Sequence, residues 1–353
     1  MNGSGSDGGA DRAHGGMDQA GGFLRFHHRA MATMFEIMIA EEESAFAGGA
    51  ARAAFEEIDR IEQELSRYSA NSDIARINNL EPHGSTRVGL NTFECLRLSV
   101  LCWEETGGAF DITLGSLMEC WVAPDKSLRH PTPDEVAKAV ERTGMASLVL
   151  DAASMAVRVG EFVPLVDLGA IGKGYAVDRA VELLKEWGVR SALVHGGTSS
   201  VFAFGRRGGE PGWPVTLSDP EQTSEVIERV VLSESGLGGS GIKKGRHIID
   251  PRRGVPVEGR RAAWVISESA ARSDALSTAC MVMTEAEVRA MIGLDNRLRA
   301  VVVGGRAGGG GEGFGDGISG TAGGAVGVEG PGDAEGPGAG ERGVLRFGVW
   351  ATA

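Results

Sequence analysis

The chain has 353 residues, enough for one large domain or two ordinary ones, and its 42% apolar content supplies a sizeable core. A formal net charge of −13 argues against nucleic acid as a main partner, because phosphate backbones are bound by clustered Lys and Arg. The longest basic cluster is short (Lys243, Lys244, Arg246, then Arg252 and Arg253), and Cys95, Cys102, Cys120 and Cys280 form no Cys-x-x-Cys pair, so neither zinc nor a disulfide framework is indicated.

Residues 1–22 are Gly-rich and polar and are expected to be a disordered tail. They hold no apolar signal-peptide region, and no stretch of the chain is long enough to span a bilayer. A cytoplasmic location is therefore expected, with export left open if translation starts elsewhere. Residues 34–39 are apolar and β-prone and read as a strand. Ala54, Ile58, Ile61 and Leu65 recur at helical spacing, and a second helix carries Phe93, Leu96, Val100 and Trp103 before stopping at Gly107 and Gly108. Thr132 followed by Pro133 opens a third helix that stops near Gly144.

Residues 165–168 read as a strand end, residues 169–174 as a Gly-rich turn, and a helix follows with Val177, Ala180, Val181 and Leu184 inward. Short strands are expected at 192–194, 201–204, 214–217, 226–232 and 262–266. Residues 273–283 read as a mostly buried helix, with 285–292 continuing or following it. Residues 304–343 are dominated by Gly and cannot bury enough apolar surface to offset their ordering entropy, so they read as a disordered insert. They separate strand-like pieces at 298–303 and 344–350, which suggests a terminal hairpin with a lengthened loop. The domain proper is thus expected over 23–303, with 344–353 as its terminal strand.

Several segments have the composition of functional sites. Residues 236–241 read as a Gly-rich loop that matches G-x-G-x-x-G formally, but the following Ile-Lys-Lys-Gly-Arg-His does not start a helix, which argues against a dinucleotide fold. Residues 169–174 are too short between glycines for a Walker loop, yet a Gly-rich turn with Lys173 at a helix N-terminus suits a phosphate, as it also suits a plain strand-to-helix turn. Asp274 and Thr278 are four residues apart and share one helix face; the pair could offer oxygen ligands to Mg²⁺, or be a capping Asp and a Thr bonded back along the helix. His247 precedes an Asp250-Pro251 turn and could take a proton from an attacking hydroxyl, though the same residues make an ordinary turn. Phe110 beside Asp111 could line a ring-binding pocket or fill the core. His195, before Gly196 and Gly197, reads as structural.

The order of these pieces carries more than any one of them. Met31-Ala-Thr33, Leu65-Ser-Arg-Tyr68 with SDIARIN at 72–78, GAFDITLGSL with Trp121, VDLGAIGKGYAVDRA at 166–180, Gly196-Gly197, HIIDPRRG at 247–254 and SDALSTA at 273–279 follow one another along residues 25–300. In this the sequence resembles the ApbE family of FAD:protein FMN transferases. The resemblance implies an α+β fold, ApbE-like and T-fold-related, with mixed sheets, flanking helices and a FAD cleft between its parts. It implies Mg²⁺-dependent transfer of FMN from FAD to a Thr or Ser hydroxyl of a target flavoprotein, with release of AMP. It assigns Mg²⁺ to Asp274, Thr278 and the carbonyl of Ala170, and FAD to Met31, Tyr68, Ala109, Phe110, Asp111, Asp167, Lys173 and Ile248. His247 would be the base, and Lys173 would stabilise charge on the pyrophosphate. A FAD pyrophosphatase giving FMN and AMP, or a FAD-binding protein without turnover, are the alternatives; an intact His247, Asp274 and Thr278 favour catalysis. Ala32 stands where the family usually has Gly, and Thr198 follows the Gly pair where many members carry an acid.

Overall fold

The computed structural model describes residues 15–18, 22–125, 127–222, 224–242, 248–304 and 343–350. Strands β1 (Gly15–Asp18), β2 (Phe23–Ala30) and β3 (Thr33–Ala40) open the chain as an antiparallel meander. Helices α1 (Ser44–Leu65) and α2 (Asp73–Asn78), strand β4 (Ser85–Arg87), and helices α3 (Leu90–Glu105), α4 (Gly115–Trp121) and α5 (Pro133–Glu141) follow. Strands β5 (Leu148–Asp151) and β6 (Ala156–Val159) join β4 in a small sheet. Helix α6 (Gly172–Glu186) leads to β7 (Ala192–Gly196) and β8 (Ser200–Phe204), then to the hairpin of β9 (Trp213–Ser218) and β10 (Val226–Leu232), and to β11 (Ser235–Gly241). The short pair β12 (Ile249–Asp250) and β13 (Val255–Pro256) precedes β14 (Arg260–Ser267), α7 (Ala270–Val282), α8 (Glu285–Leu294), β15 (Arg299–Gly304) and β16 (Val344–Phe347).

Among the described residues the main sheet has nine strands in the order β1-β2-β3-β7-β8-β11-β14-β15-β16, each antiparallel to its neighbour. Side chains alternate between its two faces. One face sends Phe35, Ile37, Val194, Phe202, Val265 and Val302 into the main core, where they meet Ile58 and Ile61 of α1, Val177 and Ala180 of α6, and Leu276 of α7. The other face sends Leu193, Val201, Ala203, Leu237 and Ile266 against Trp213, Leu217, Val230 and Leu232 of the β9–β10 hairpin. The fold is therefore helices on one face of a mixed-order sheet and a hairpin on the other.

Most expected elements are present. α5 begins with a full capping box between Thr132 and Glu135 and has Pro133 at its start. β16 pairs with β15 in register Val303↔Val344, and the Gly304 amide donates to the Gly343 carbonyl at 2.9 Å. Residues 305–342, read from composition as an insert, lie outside the described residues, as do 1–14, 19–21 and 351–353. Three expectations change. Residues 15–18, placed by composition in the tail, form β1, because backbone hydrogen bonds to the edge of β2 need no apolar side chain. Residues 165–168 are not a regular strand: Val166 is held by the side chain of Asn78, which accepts from its amide at 2.8 Å and donates to its carbonyl at 3.0 Å. The glycines of 236–241 are a central strand, β11, rather than a loop.

The reason for those glycines is the helix beneath them. A Cβ on Gly236 would lie 2.5 Å from the Ala270 nitrogen, and one on Gly238 would lie 2.2 Å from the Ser273 carbonyl carbon. Only a bare strand lets α7 lie so close. Gly174 plays the same part on α6, where a Cβ would meet the Ala270 carbonyl oxygen at 2.4 Å.

Gly238→Ala should therefore destabilise the protein by about 3 kcal/mol in denaturant unfolding. Gly293→Ala in α8, where nothing lies within 4 Å, should instead be neutral or stabilising by about 0.5 kcal/mol. Replacing residues 305–342 with a short turn should leave the thermal midpoint no lower, since β15 and β16 already pair next to the junction and loop closure favours the shorter connection.

Candidate active site

Asp274 sits in the second turn of α7, buried between β11 and α6. Its Oδ2 accepts the Gly174 amide at 2.9 Å and the Ser200 hydroxyl at 2.6 Å. Among the described residues, none donates to its second oxygen. Burial pushes this carboxyl up to about 6, against the pull of Lys173 and the two donors. One turn on, the Thr278 hydroxyl donates to the Asp274 carbonyl at 3.2 Å and lies 2.9 Å from the Ser240 hydroxyl. The helix-internal bond expected of a bland Thr is thus present, but the same oxygen also faces the cavity.

Lys173 lies in the first turn of α6, and its Nζ donates to the Gly169 carbonyl at 3.1 Å. The turn before it is braced by Asp167, whose Oδ1 accepts the Gly169 amide at 2.7 Å. Asp167 is in turn paired with Arg67 at 3.1 Å, and the Arg67 guanidinium lies 4.9 Å from the centre of the Tyr68 ring. Tyr68 itself is 84% exposed, so one face of the ring is open at the rim.

These groups share one cavity of about 790 Å³, near the upper end of the range for small-molecule sites. Ala170, Lys173, Asp274 and Thr278 are among its lining residues. Tyr68, Ala109, Phe110, Asp111, Asp167 and Ile248 also line it. Asp111 is mostly committed to its own turn: its Oδ1 accepts from the Thr113 amide at 2.6 Å, and burial pushes its carboxyl up against the donors from Thr113 and Met145. Met31 does not line the cavity. It occupies the two-residue turn between β2 and β3 with φ 49° and packs partly against the core. Ala32 beside it has φ 55°, a left-handed conformation that glycine adopts without cost.

His247 lies outside the described residues, although Gly241 and Ile248 on either side of residues 243–247 both line the cavity. The segment after it is firmly anchored. Ile249 is buried with Leu117 and Cys120, the Trp121 indole donates to the Gly254 carbonyl at 2.7 Å, and Arg252 bridges Asp250 and Glu287.

A hard divalent cation fits the central group on its chemistry: one buried carboxylate with an oxygen to spare, an adjacent hydroxyl and a backbone carbonyl are all oxygen donors. Three supporting residues were not singled out from the sequence. Ser200 and Ser240 hold Asp274 and Thr278 by hydroxyl contacts. Asp178 on α6 accepts from the Ala270 amide at 2.7 Å, the Ala271 amide at 2.9 Å and the Ser269 hydroxyl at 2.8 Å, and so caps α7 from outside. Burial pushes Asp178 up to about 7 while these donors hold it down. A signal for it was present: Gly174 and Asp178 are four apart and share the face of α6 that meets α7.

Asp178→Ala should cost about 1–2 kcal/mol in unfolding free energy, as for loss of a helix cap. It should also weaken Mg²⁺ affinity measured by calorimetry, whereas a surface control such as Glu182→Ala should change neither.

The sequence matches the model of the ApbE family over residues 31–302. The FAD:protein FMN transferase of Klebsiella pneumoniae (strain 342) is 26% identical over 270 residues, covering 72% of this chain and 77% of that protein. The FAD:protein FMN transferase of Salmonella typhimurium is 29% identical over 243 residues, covering 64% of this chain and 69% of that protein. Among solved structures, the apo flavinyl transferase ApbE of Pseudomonas stutzeri aligns with TM-score 0.69 and 26% identity, covering 82% of this chain and 93% of that one. The ApbE protein of Thermotoga maritima aligns with TM-score 0.72 and 28% identity, covering 80% and 94%.

Proposed function

The chain belongs to the ApbE family, and on that premise we propose that it transfers FMN from FAD to a Thr or Ser hydroxyl of a target flavoprotein, releasing AMP, in a Mg²⁺-dependent reaction. The names of its relatives support FMN transfer. The observation that carries the chemistry is that a buried carboxylate, a hydroxyl and a helix N-terminal lysine line one large cavity together.

In this reading the acceptor oxygen bonds to the FMN phosphorus as the phosphoanhydride bond to AMP breaks, and the hydroxyl proton passes to His247. Phosphoryl transfer of this kind needs charge neutralisation and in-line positioning more than covalent help. Mg²⁺ held by Asp274, Thr278 and the Ala170 carbonyl would supply Lewis-acid neutralisation of the pyrophosphate. Lys173 adds a positive charge at the N-terminus of α6, where the helix dipole also favours an anion. Phe110, Ala109 and Ile248 give an apolar wall for a flat ring, and Tyr68 can stack from the rim because Arg67 already holds its inner side. Asp167 contributes by fixing the turn that aims Ala170 and Lys173.

The test is incubation with FAD, Mg²⁺ and candidate flavoproteins, with intact-mass detection of covalently attached FMN and chromatography of AMP. Asp274→Ala should abolish Mg²⁺-dependent AMP release, and undiminished release would remove the metal assignment. His247→Ala should slow transfer about 100-fold or more while leaving FAD affinity near that of the parent, and surviving transfer would mean that another group is the base. Release of FMN and AMP with no protein adduct, across all acceptors tried, would favour the pyrophosphatase reading.

A further inference from the structure

The cavity continues past the metal-ligand candidates onto the other face of the sheet. Ser240 points toward α7, where it meets Thr278, so by strand alternation its neighbours Gly239 and Gly241 face the opposite side. There Gly239 pairs with Trp264 and Gly241 with Ala262 of β14, and a Cβ on Gly239 would lie 2.8 Å from the indole. Thr216 and Ser218 of β9 and the following Pro220 complete this second lobe. None of these residues is among those assigned above to FAD.

Three features of the lobe suit a polypeptide. Among the described residues β9 pairs only with β10, so its outer edge, where Thr216 is exposed, is free to take another strand. The Trp264 indole, lying over the bare Gly239, offers a flat apolar surface, and Gly241 and Ala262 beside it carry little or no side chain. The carboxylates at the lobe's rim are already paired: Asp219 lies 3.0 Å and Glu221 3.1 Å from the buried Arg261 guanidinium. The groove therefore presents hydroxyls and an indole rather than unpaired charge at this rim. It shares one cavity with Asp274 and Thr278 through residues other than those assigned to FAD, and an in-line nucleophile must enter from a side the leaving group does not occupy.

We propose that this lobe is the docking groove for the acceptor, an extended and largely uncharged segment of the target flavoprotein that lies along the free edge of β9 against Trp264 and carries its Thr or Ser hydroxyl to the metal pair. The proposal rests on the transferase reading given above.

The experiment measures steady-state FMN transfer with Mg²⁺, varying FAD and a flavoprotein acceptor separately, together with FAD affinity by fluorescence. Trp264→Ala removes the platform, and Thr216→Trp fills the groove from an exposed position without touching the core. Each should raise KM for the acceptor about 10-fold or more while FAD affinity stays within twofold of the parent. An unchanged acceptor KM in the Thr216 variant overturns the proposal. So does a loss of FAD affinity in that variant, which would mean that the lobe holds an arm of the dinucleotide. If the parent enzyme itself transfers no FMN to any flavoprotein, the transferase reading fails and the groove assignment with it. Normal transfer in the parent with unaltered kinetics in both variants sinks the groove alone.

Discussion

The contact on which the rest of the site depends is the close approach of α7 to β11 and α6. Helices normally stand off a sheet because close-packed side chains fill the gap. Here Gly236 and Gly238 remove the side chains on the strand, and Gly174 removes one on the helix. The approach then lets a backbone amide, that of Gly174, reach the carboxylate of Asp274 across what would otherwise be a packed interface. Asp178 fixes the start of α7 from the same face of α6. Position along α7 is thus set twice, and Asp274 and Thr278 inherit it. A large side chain at any of the three glycines would act on the site through this geometry rather than through lost chemistry.

That arrangement leaves the site at the end of the sheet rather than on one of its faces. Asp274 and Thr278 belong to the helix side, where the main core lies. Trp264 and Ala262 belong to the hairpin side, where a second cluster covers the sheet. The strand ends between them, at Ser199 and Ser240, line the same cavity as both. The antiparallel order of β8, β11 and β14 is what brings these ends together, since neighbouring strands turn back at the same level.

Much of this was legible in the sequence, and the exceptions have physical causes. Long periodic segments read well: α1, α6 and β10 stand where apolar spacing put them, because one buried face dictates the pattern. β11 did not read as a strand, since its glycines are selected for absence of bulk and carry no β-prone side chain. β1 did not either, since backbone pairing with β2 leaves no apolar pattern in a Gly-rich segment. At the site, ten of the residues that the family resemblance assigns to FAD or metal line one cavity, while Met31 sits in a neighbouring turn. The hydroxyls of Ser200 and Ser240 were invisible because serine in a Gly-rich segment looks like loop composition; only the fold shows which oxygen each one touches.

The hydroxyl-rich character of the site bears on how a cation would be held. Among the described residues no group of three His, Cys, Asp or Glu side chains is placed to bind a metal. Asp178 is committed to capping α7, Asp111 to its own turn, and Asp219 to Arg261. Thr198 and Ser199 stand where an acid after the Gly pair would add a second negative charge. One carboxylate with neutral oxygens makes a weak site for a doubly charged ion standing alone, since Mg²⁺ sites of this kind draw much of their donor set from water and substrate phosphate. The residues that remain are thus suited to a cation that arrives with, or is completed by, a pyrophosphate. Lys173, whose charge already lowers the cost of ionising Asp274, lines the same cavity.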